Sequence, residues 1–221
     1  MFVAIPPRQR RQLIWVTPLL VVCMCVAFIW TIWLPAGERI ALLQSRGMLG
    51  GGDLSLSGRG LRLLTASFLH ADWTHLLGNL VFLMIFGFPA ERMMGSLRFL
   101  LLFLLGGATA NLAAAATIAD GEVLIGASGG VSAVIGAWLV LFPRARLGVV
   151  VPLGVFLEFV RAPAALLIGI WALLQVLFAY IGPAYGQVAW VAHLAGFGFG
   201  GVFALLSRSA IAKRLRKQRG Y

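Results

Sequence analysis

The chain has 221 residues, of which 61% are hydrophobic and only 11% are charged, and its formal net charge is +11 at pH 7. A soluble domain of this length is closer to half apolar and a quarter charged. The composition therefore excludes an ordinary soluble domain and predicts an all-α polytopic membrane protein. A charge of +11 would suggest nucleic acid in a soluble chain, but here the charges flank apolar runs. We therefore expect the basic residues to interact with the lipid bilayer, and we expect no nucleic-acid partner.

Six apolar runs can cross a hydrocarbon core of about 30 Å at about 1.5 Å per residue. These predicted spans cover residues 13–34, 73–90, 99–119, 123–143, 163–180 and 187–206, between polar tails at 1–12 and 208–221. The long, mixed segment after the first span predicts a structured, functional loop. Leu147–Leu157 is apolar but too short to span and contains Pro152, so we expect it to lie along the interface or to pack shallowly.

The basic residues predict the orientation. With both termini in the cytoplasm, fourteen of the 18 Lys and Arg residues fall on the inner side, and the other four lie in the long first loop. The positive-inside rule therefore predicts cytoplasmic N- and C-termini. The first apolar run is too long for a cleavable signal and no transit peptide stands out, which favours a bacterial plasma membrane.

Gly126-Ala127-Ser128-Gly129 stands at the opening of the fourth apolar run. A serine between glycines at a helix start has an unobstructed hydroxyl, and the first N–H groups of the helix are not used by helical bonds. The positive end of the helix dipole lies there as well. These features suit a nucleophile beside an oxyanion site, although the same residues also suit close helix packing in a membrane.

Ser128, His193, His75 and Asn79 all lie within about 10 Å of the predicted outer face, on three different spans. Polar groups inside a membrane are costly and tend to meet one another. We therefore expect a hydrogen bond between Ser128 and His193. His75 and Asn79 are four residues apart, on one helical face, where both could donate to an oxyanion.

Two rows of small residues would let the helices that carry Ser128 and His193 approach closely. They are Ala192, Gly196 and Gly200 on the sixth span, and Ser128, Ser132 and Gly136 on the fourth. A metal site is not expected, because His70 and His75 are five residues apart and no Cys or carboxylate cluster completes a ligand set. No cofactor is expected either.

These residues resemble those of the rhomboid intramembrane serine proteases. The resemblance rests on four motifs, which are His70-x4-His75-x3-Asn79, Glu91-Arg-x-x-Gly95, Gly126-Ala-Ser128-Gly129 and Ala192-His193-Leu-Ala-Gly196. It implies that Ser128 is the nucleophile and His193 the general base, in a dyad with no acidic third member. It also implies an oxyanion site of His75, Asn79, the Ser128 N–H and the loop at Gly126. The supporting residues would be His70, Glu91, Gly129 and Gly196.

The resemblance further implies a six-helix rhomboid-like bundle over residues 13–207, with a long first loop partly embedded in the membrane. The active site would face the extracytoplasmic side and cleave single-span or other membrane proteins in or near their transmembrane segments. Two positions depart from the family pattern. Leu61-Arg62 stands where Trp-Arg is frequent, and Ser132 stands where an aromatic residue often packs on the catalytic imidazole. What orients His193 is therefore open.

Two other function classes are compatible with parts of this pattern. One is a catalytically inactive rhomboid-like protein that binds membrane clients, against which the intact Ser128 and His193 argue. The other is a transporter whose polar cluster binds a solute. The sequence has no internal repeat and no pair of charges within its apolar runs, which argues against a transporter.

Overall fold

The computed structural model describes residues 13–51, 60–153, 156–181 and 190–219. The predicted tail at 1–12 lies outside these ranges. So do residues 52–59 of the first loop, residues 154–155, residues 182–189, which include the first three residues of the sixth predicted span, and the final two residues. Within the described ranges the chain is mostly helical, as the composition predicts.

The structure describes eight α-helices. They are α1 (Val16–Ile32), α2 (Ala36–Arg46), α3 (Gly60–Thr65), α4 (Trp73–Met94), α5 (Ser96–Ala115), α6 (Ser128–Leu141), α7 (Ala164–Ile181) and α8 (Trp190–Arg219). Two short strands, β1 (Met48–Leu49) and β2 (Val123–Leu124), pair antiparallel. A longer hairpin joins β3 (Arg146–Leu153) to β4 (Phe156–Pro163).

Four helices are long and apolar enough to cross a membrane, namely α4, α5, α7 and α8 up to Gln218. Two shorter helices, α1 and α6, are apolar and have 17 and 14 residues. Each of these six helices overlaps one of the six predicted spans. The chain is thus an integral membrane protein of mostly helical structure, while the count of six spans stays a prediction.

Helix α6 lies at the centre of the structure. Every residue from Gly129 to Trp138 is buried, and the helix packs against α4, α5 and α8. By contrast, α7 has many lipid-compatible side chains on its surface, including Leu166, Ile170 and Leu173. The 14 residues of α6 are therefore enclosed by other helices, and those helices carry the apolar side chains that suit contact with lipid.

Glycines allow α6 and α8 to approach until their backbones touch. A methyl group at Gly196 would overlap the carbonyl of Gly129, one at Gly200 would overlap that of Ala133, and one at Gly136 would overlap that of Phe197. Of the predicted rows of small residues, Gly196, Gly200 and Gly136 form this contact, and on α6 they are joined by Gly129 and Ala133. This contact fixes α8 against α6 at the level of Ser128.

The first loop is held by hydrogen bonds from basic and polar side chains to backbone carbonyls. Arg62 Nη1 donates to Gln44 O at 2.7 Å and to Gly47 O at 3.2 Å, at the C-terminal end of α2. Thr65 Oγ1 donates to Arg46 O at 2.6 Å. Leu61 thus stands at the position where the rhomboid pattern often has tryptophan, and Arg62 beside it still anchors the loop by its hydrogen bonds.

Glu91, near the C-terminal end of α4, caps the N-terminus of α1. Its carboxylate accepts from the backbone N–H groups of Trp15, Val16 and Thr17 at 2.8–2.9 Å. The Thr17 hydroxyl donates to it as well, at 2.7 Å. Glu91 is only 1% exposed. A negative charge at this end complements the helix dipole, so Glu91 determines where α1 lies along α4.

The sequence predicts that Leu147–Leu157 lies along the interface or packs shallowly, and the structure gives this stretch a conformation that was not predicted. Its residues form the β3–β4 hairpin, with Arg146 paired to Pro163 and Val150 paired to Phe159. The β-branched run Val149–Val151 is the local signal for strands. A hairpin that returns to its starting level agrees with the expectation that this segment does not cross the membrane.

Two helix boundaries differ from the predicted ones. The helix of the fourth span starts at Ser128 rather than near Val123, because Val123 and Leu124 pair with β1. Ser128 is therefore the first residue of its helix and does not lie five residues inside it. Helix α8 continues through the basic residues to Arg219, where the sequence predicted a tail from residue 208.

The Glu91 cap predicts a large loss of stability on removal of its charge. In Glu91→Gln, the side-chain NH₂ would face N–H donors, leaving buried donors unpaired, so we expect the free energy of unfolding to fall by about 2–4 kcal/mol. Thermal unfolding in detergent micelles, followed by circular dichroism, measures this. The control is Glu38→Gln on the exposed surface of α2. Equal midpoints for the two variants would contradict the cap.

The contact between α6 and α8 predicts that alanine destabilises the protein at one glycine of α8 and not at another. Gly196→Ala places a methyl group against the Gly129 carbonyl, whereas Gly198→Ala places one in open space. We expect the first to cost about 1–3 kcal/mol of unfolding free energy. The second should be neutral or slightly stabilising because alanine favours helix. Unfolding of both variants in the same detergent measures the difference. If Gly196→Ala were no less stable than Gly198→Ala, the contact would tolerate a side chain.

Candidate active site

The site begins with the turn that starts α4. Asp72 is the N-cap residue, and its carboxylate accepts from His75 N at 2.8 Å and from Thr74 Oγ1 at 2.6 Å. These hydrogen bonds, that from Thr74 above all, lower the pKa of Asp72. An ionised N-cap satisfies the first N–H groups of the helix. The cap thereby fixes His75 in the first turn of α4.

His75 lies against the backbone of Gly126. A Cβ at Gly126 would be 2.5 Å from His75 Nε2 and 2.7 Å from Cε1, so only glycine leaves room for the imidazole. Gly126 also has φ +124°, a conformation that side chains disfavour. Its N–H donates to Ala66 O at 2.9 Å, which ties the loop to the segment before α4. The structure thus brings His75 to the loop two residues before Ser128.

Ser128 is the first residue of α6 and is partly exposed. The helix follows Ala127, whose carbonyl accepts from Val131 N at 2.9 Å, and no side chain caps this end. The first N–H groups of a helix have no partner within it. Ser128 therefore lies at the end of α6 that carries these N–H groups and the positive end of the helix dipole.

His193 lies on α8, one turn before Gly196, and Gly196 touches the carbonyl of Gly129. Ser128 and His193 are therefore at the same level of the contact between α6 and α8. Among the described residues, however, no hydrogen bond joins Ser128 Oγ to His193. The structure thus brings the predicted pair to one level without a hydrogen bond between them. Catalytic hydrogen bonds often tighten only when substrate is bound.

Asn79 lies one turn after His75 and is buried. Its Nδ2 donates to His75 O at 2.9 Å, so one of its two N–H groups is directed back to its own helix. The second N–H remains for another acceptor. The structure thus places Asn79 on the predicted face without showing a role in an oxyanion site.

His70 is fully buried and meets His75 edge to face, with 5.2 Å between the ring centroids. Neither of its ring nitrogens has a hydrogen-bond partner among the described residues. Burial, and after it the neighbouring His75, lower the pKa of His70 to about 4. His70 is therefore neutral near pH 7 and packs behind His75. Within the described ranges, no cluster of three or more His, Cys, Asp or Glu side chains is suited to a metal ion.

Three side chains without a predicted role surround His193. Gln175 Oε1 lies 2.7 Å from His193 Nδ1. The ring of Trp171 stacks on the imidazole with 6.5 Å between centroids, and Trp190 meets it edge-on at 6.1 Å. One signal for Gln175 was present in the sequence, since it is the one side-chain amide in the apolar run 163–180. A polar residue in a span tends to face the protein interior.

Comparison with known proteins adds an independent observation. The protein-family model described as Rhomboid domain matches residues 57–210, which are more than half of the chain. The putative rhomboid protease YdcA of Bacillus subtilis (strain 168) is 37% identical over 94 residues, which are 42% of this chain and 47% of that protein. Rhomboid-like protein 11, chloroplastic, of Arabidopsis thaliana is 41% identical over 70 residues, 32% of this chain and 25% of that protein.

A third relative, RHOMBOID-like protein 5 of Arabidopsis thaliana, is 30% identical over 107 residues, which are 48% of this chain and 32% of that protein. The chain thus matches less than half the length of each of these curated relatives. The domain match covers α3 to most of α8, and with them every predicted site residue. On this match, the chain belongs to the rhomboid family.

Proposed function

We propose that this chain is an intramembrane serine endopeptidase that cleaves other membrane proteins in or near their transmembrane segments. The observation that carries the proposal is the common level of Ser128 and His193, set by the contact of Gly196 with the Gly129 carbonyl. The placement of His75 against Gly126 adds a donor beside the nucleophile. Family membership supports the same reaction class.

In the proposed reaction, Ser128 Oγ attacks the carbonyl carbon of the scissile peptide while its proton passes to His193 Nε2. The carbonyl oxygen becomes an oxyanion, which accepts hydrogen bonds from the N-terminal N–H groups of α6 and from His75. The C–N bond then breaks, and His193 gives its proton to the leaving amine. The products of this half-reaction are a free amine and an ester of Ser128.

Water completes the cycle. It attacks the ester carbon and gives a proton to His193, and the bond to Ser128 Oγ breaks as that proton returns to the serine. Because peptide hydrolysis consumes water, the site must open to an aqueous phase. In the proposed orientation, with both termini in the cytoplasm of a bacterial cell, this is the extracytoplasmic side.

The proposed substrates are single-span or other membrane proteins in the same bilayer. The apolar outer faces of α4 and α7, with Leu77, Val81, Ile170 and Leu173 exposed, suit contact with lipid and with apolar substrate helices. The protease domain would comprise residues 13–207, with the six helices as its spans.

A client-binding protein without catalysis is the alternative, favoured by the lack of a hydrogen bond between Ser128 and His193. A fluorophosphonate probe distinguishes the two because it reacts with an activated serine. The proposal expects labelling of the wild type and none of Ser128→Ala. A wild type that neither labels nor cleaves would favour the client-binding reading.

The nucleophile is tested by Ser128→Ala. We expect cleavage of a single-span substrate in liposomes to be lost, because the atom that forms the ester is gone, while thermal unfolding stays nearly unchanged. Ser132→Ala, the same change one turn further along α6, is the matched control and should still cleave. Cleavage by Ser128→Ala would remove this serine from the proposed role.

The oxyanion site is tested by Asn79→Ala. One donor among several is worth about 10²–10³ in rate or less, and Asn79 already shares its amide with His75 O. We therefore expect kcat to fall by no more than about 10²-fold, well short of the loss in Ser128→Ala. Single-turnover cleavage rates of the two variants measure this. A loss as complete as that of Ser128→Ala would give Asn79 a different role.

A further inference from the structure

We propose that Gln175 is a positioning residue for His193, which it holds in the one neutral form that can accept the proton of Ser128. The inference rests on the proposed function, because it assigns a partner to the general base. In place of the acidic third member of a serine-protease triad, this chain would use an uncharged amide.

The hydrogen bond itself is the first support. Gln175 Oε1 and His193 Nδ1 are 2.7 Å apart, although they lie on different helices, α7 and α8. Gln175 is only 5% exposed. Its residue neighbours in α7 are apolar, and among the described residues His193 is the partner of its side-chain oxygen. A buried amide without a partner is costly, so this contact is strongly favoured.

The second support is the choice of tautomer. A carbonyl oxygen accepts, so the contact requires the proton of neutral His193 to be on Nδ1. Nε2, at the opposite edge of the ring, then has a free lone pair. In the Ser-His-Asp triad the carboxylate has this same task, namely to hold the tautomer and orientation of the imidazole. A cysteine-protease variant of the triad uses asparagine there, so a side-chain amide suffices.

The third support is the packing around the ring. Trp171 and Gln175 are four residues apart on α7 and therefore lie on one face. Trp171 stacks on the imidazole that Gln175 binds. Ser132 of α6, at the position that is often aromatic in the family, is too small to stack on it. The plane of the ring and its hydrogen bond are thus both set by α7.

The amide would also assist the reaction step. When Nε2 takes the proton of Ser128, the ring becomes cationic and its Nδ1–H bond to Gln175 becomes charge-assisted. Such bonds are roughly twice as strong as neutral ones. The bond therefore strengthens as charge develops, which is the condition for stabilising a transition state.

The test uses the chain of 221 residues in liposomes with a single-span substrate, and it compares Gln175→Met with Gln175→Glu. Methionine keeps the unbranched shape but lacks the amide acceptor. We expect kcat to fall about 10- to 10²-fold with KM nearly unchanged, below the roughly 10⁴-fold loss when a triad enforces the wrong tautomer. Glutamate keeps an acceptor oxygen and should restore kcat to within about tenfold of wild type. Gln44→Met, on the exposed surface of α2, is the matched control.

A second measurement separates positioning from packing. Nitrogen-15 NMR of the three histidines reports which ring nitrogen bears the proton, and comparison with His193→Gln assigns the His193 signals. We expect an Nδ1–H form in the wild type and in Ser128→Ala, and a mixture or an Nε2–H form in Gln175→Met. Unchanged kcat together with an unchanged tautomer in Gln175→Met would overturn the inference.

The two proposals fail in different ways. A wild type that cleaves no substrate and does not react with fluorophosphonate would overturn the protease, and with it the role of Gln175 in proton transfer. A wild type that cleaves, with Gln175→Met equal to it in kcat and in tautomer, would overturn the role of Gln175 alone.

Discussion

The direct contact between the backbones of α6 and α8 is the constraint on which the site depends. At Gly196, Gly200 and Gly136, any side chain would overlap a carbonyl of the facing helix. In lipid, no hydrophobic effect drives helices together, so association relies on packing of this kind. The contact does more than stabilise the bundle. It decides that a serine at the start of one helix and a histidine within another lie at one level.

The ends of the helices are fixed by side chains from other elements, and this sets the position of each helix along its axis. Glu91 binds three N–H groups at the start of α1, and Arg214 donates to Arg92 O and Met93 O at the end of α4. Apolar faces can slide past one another, whereas an unpaired backbone group is costly. Packing thus sets the distance between helices, and these caps set their register.

The sequence predicts most of the helices and the candidate site for the same physical reason. Long apolar runs leave few polar side chains, so Ser128, His75 and His193 stand out and must find partners. The sequence predicts less where a short segment fits two kinds of secondary structure. Val123 and Leu124 fit the start of an apolar helix as well as a strand, and only the pairing with Met48 and Leu49 decides between them. Gln175 was missed because its partner, 18 residues away on another helix, leaves no periodic pattern.

The chemistry of the bilayer gives a reason for an amide beside a histidine that is proposed to act as the general base. A carboxylate at that depth would need its own partners to offset the cost of a buried charge. It would also hold a permanent negative charge next to an imidazole that is neutral for most of the cycle. An amide oxygen has neither cost, yet it still determines which ring nitrogen bears the proton. Within a membrane, a neutral acceptor is therefore the less costly way to hold the proposed general base, His193, in the form that can accept a proton from Ser128.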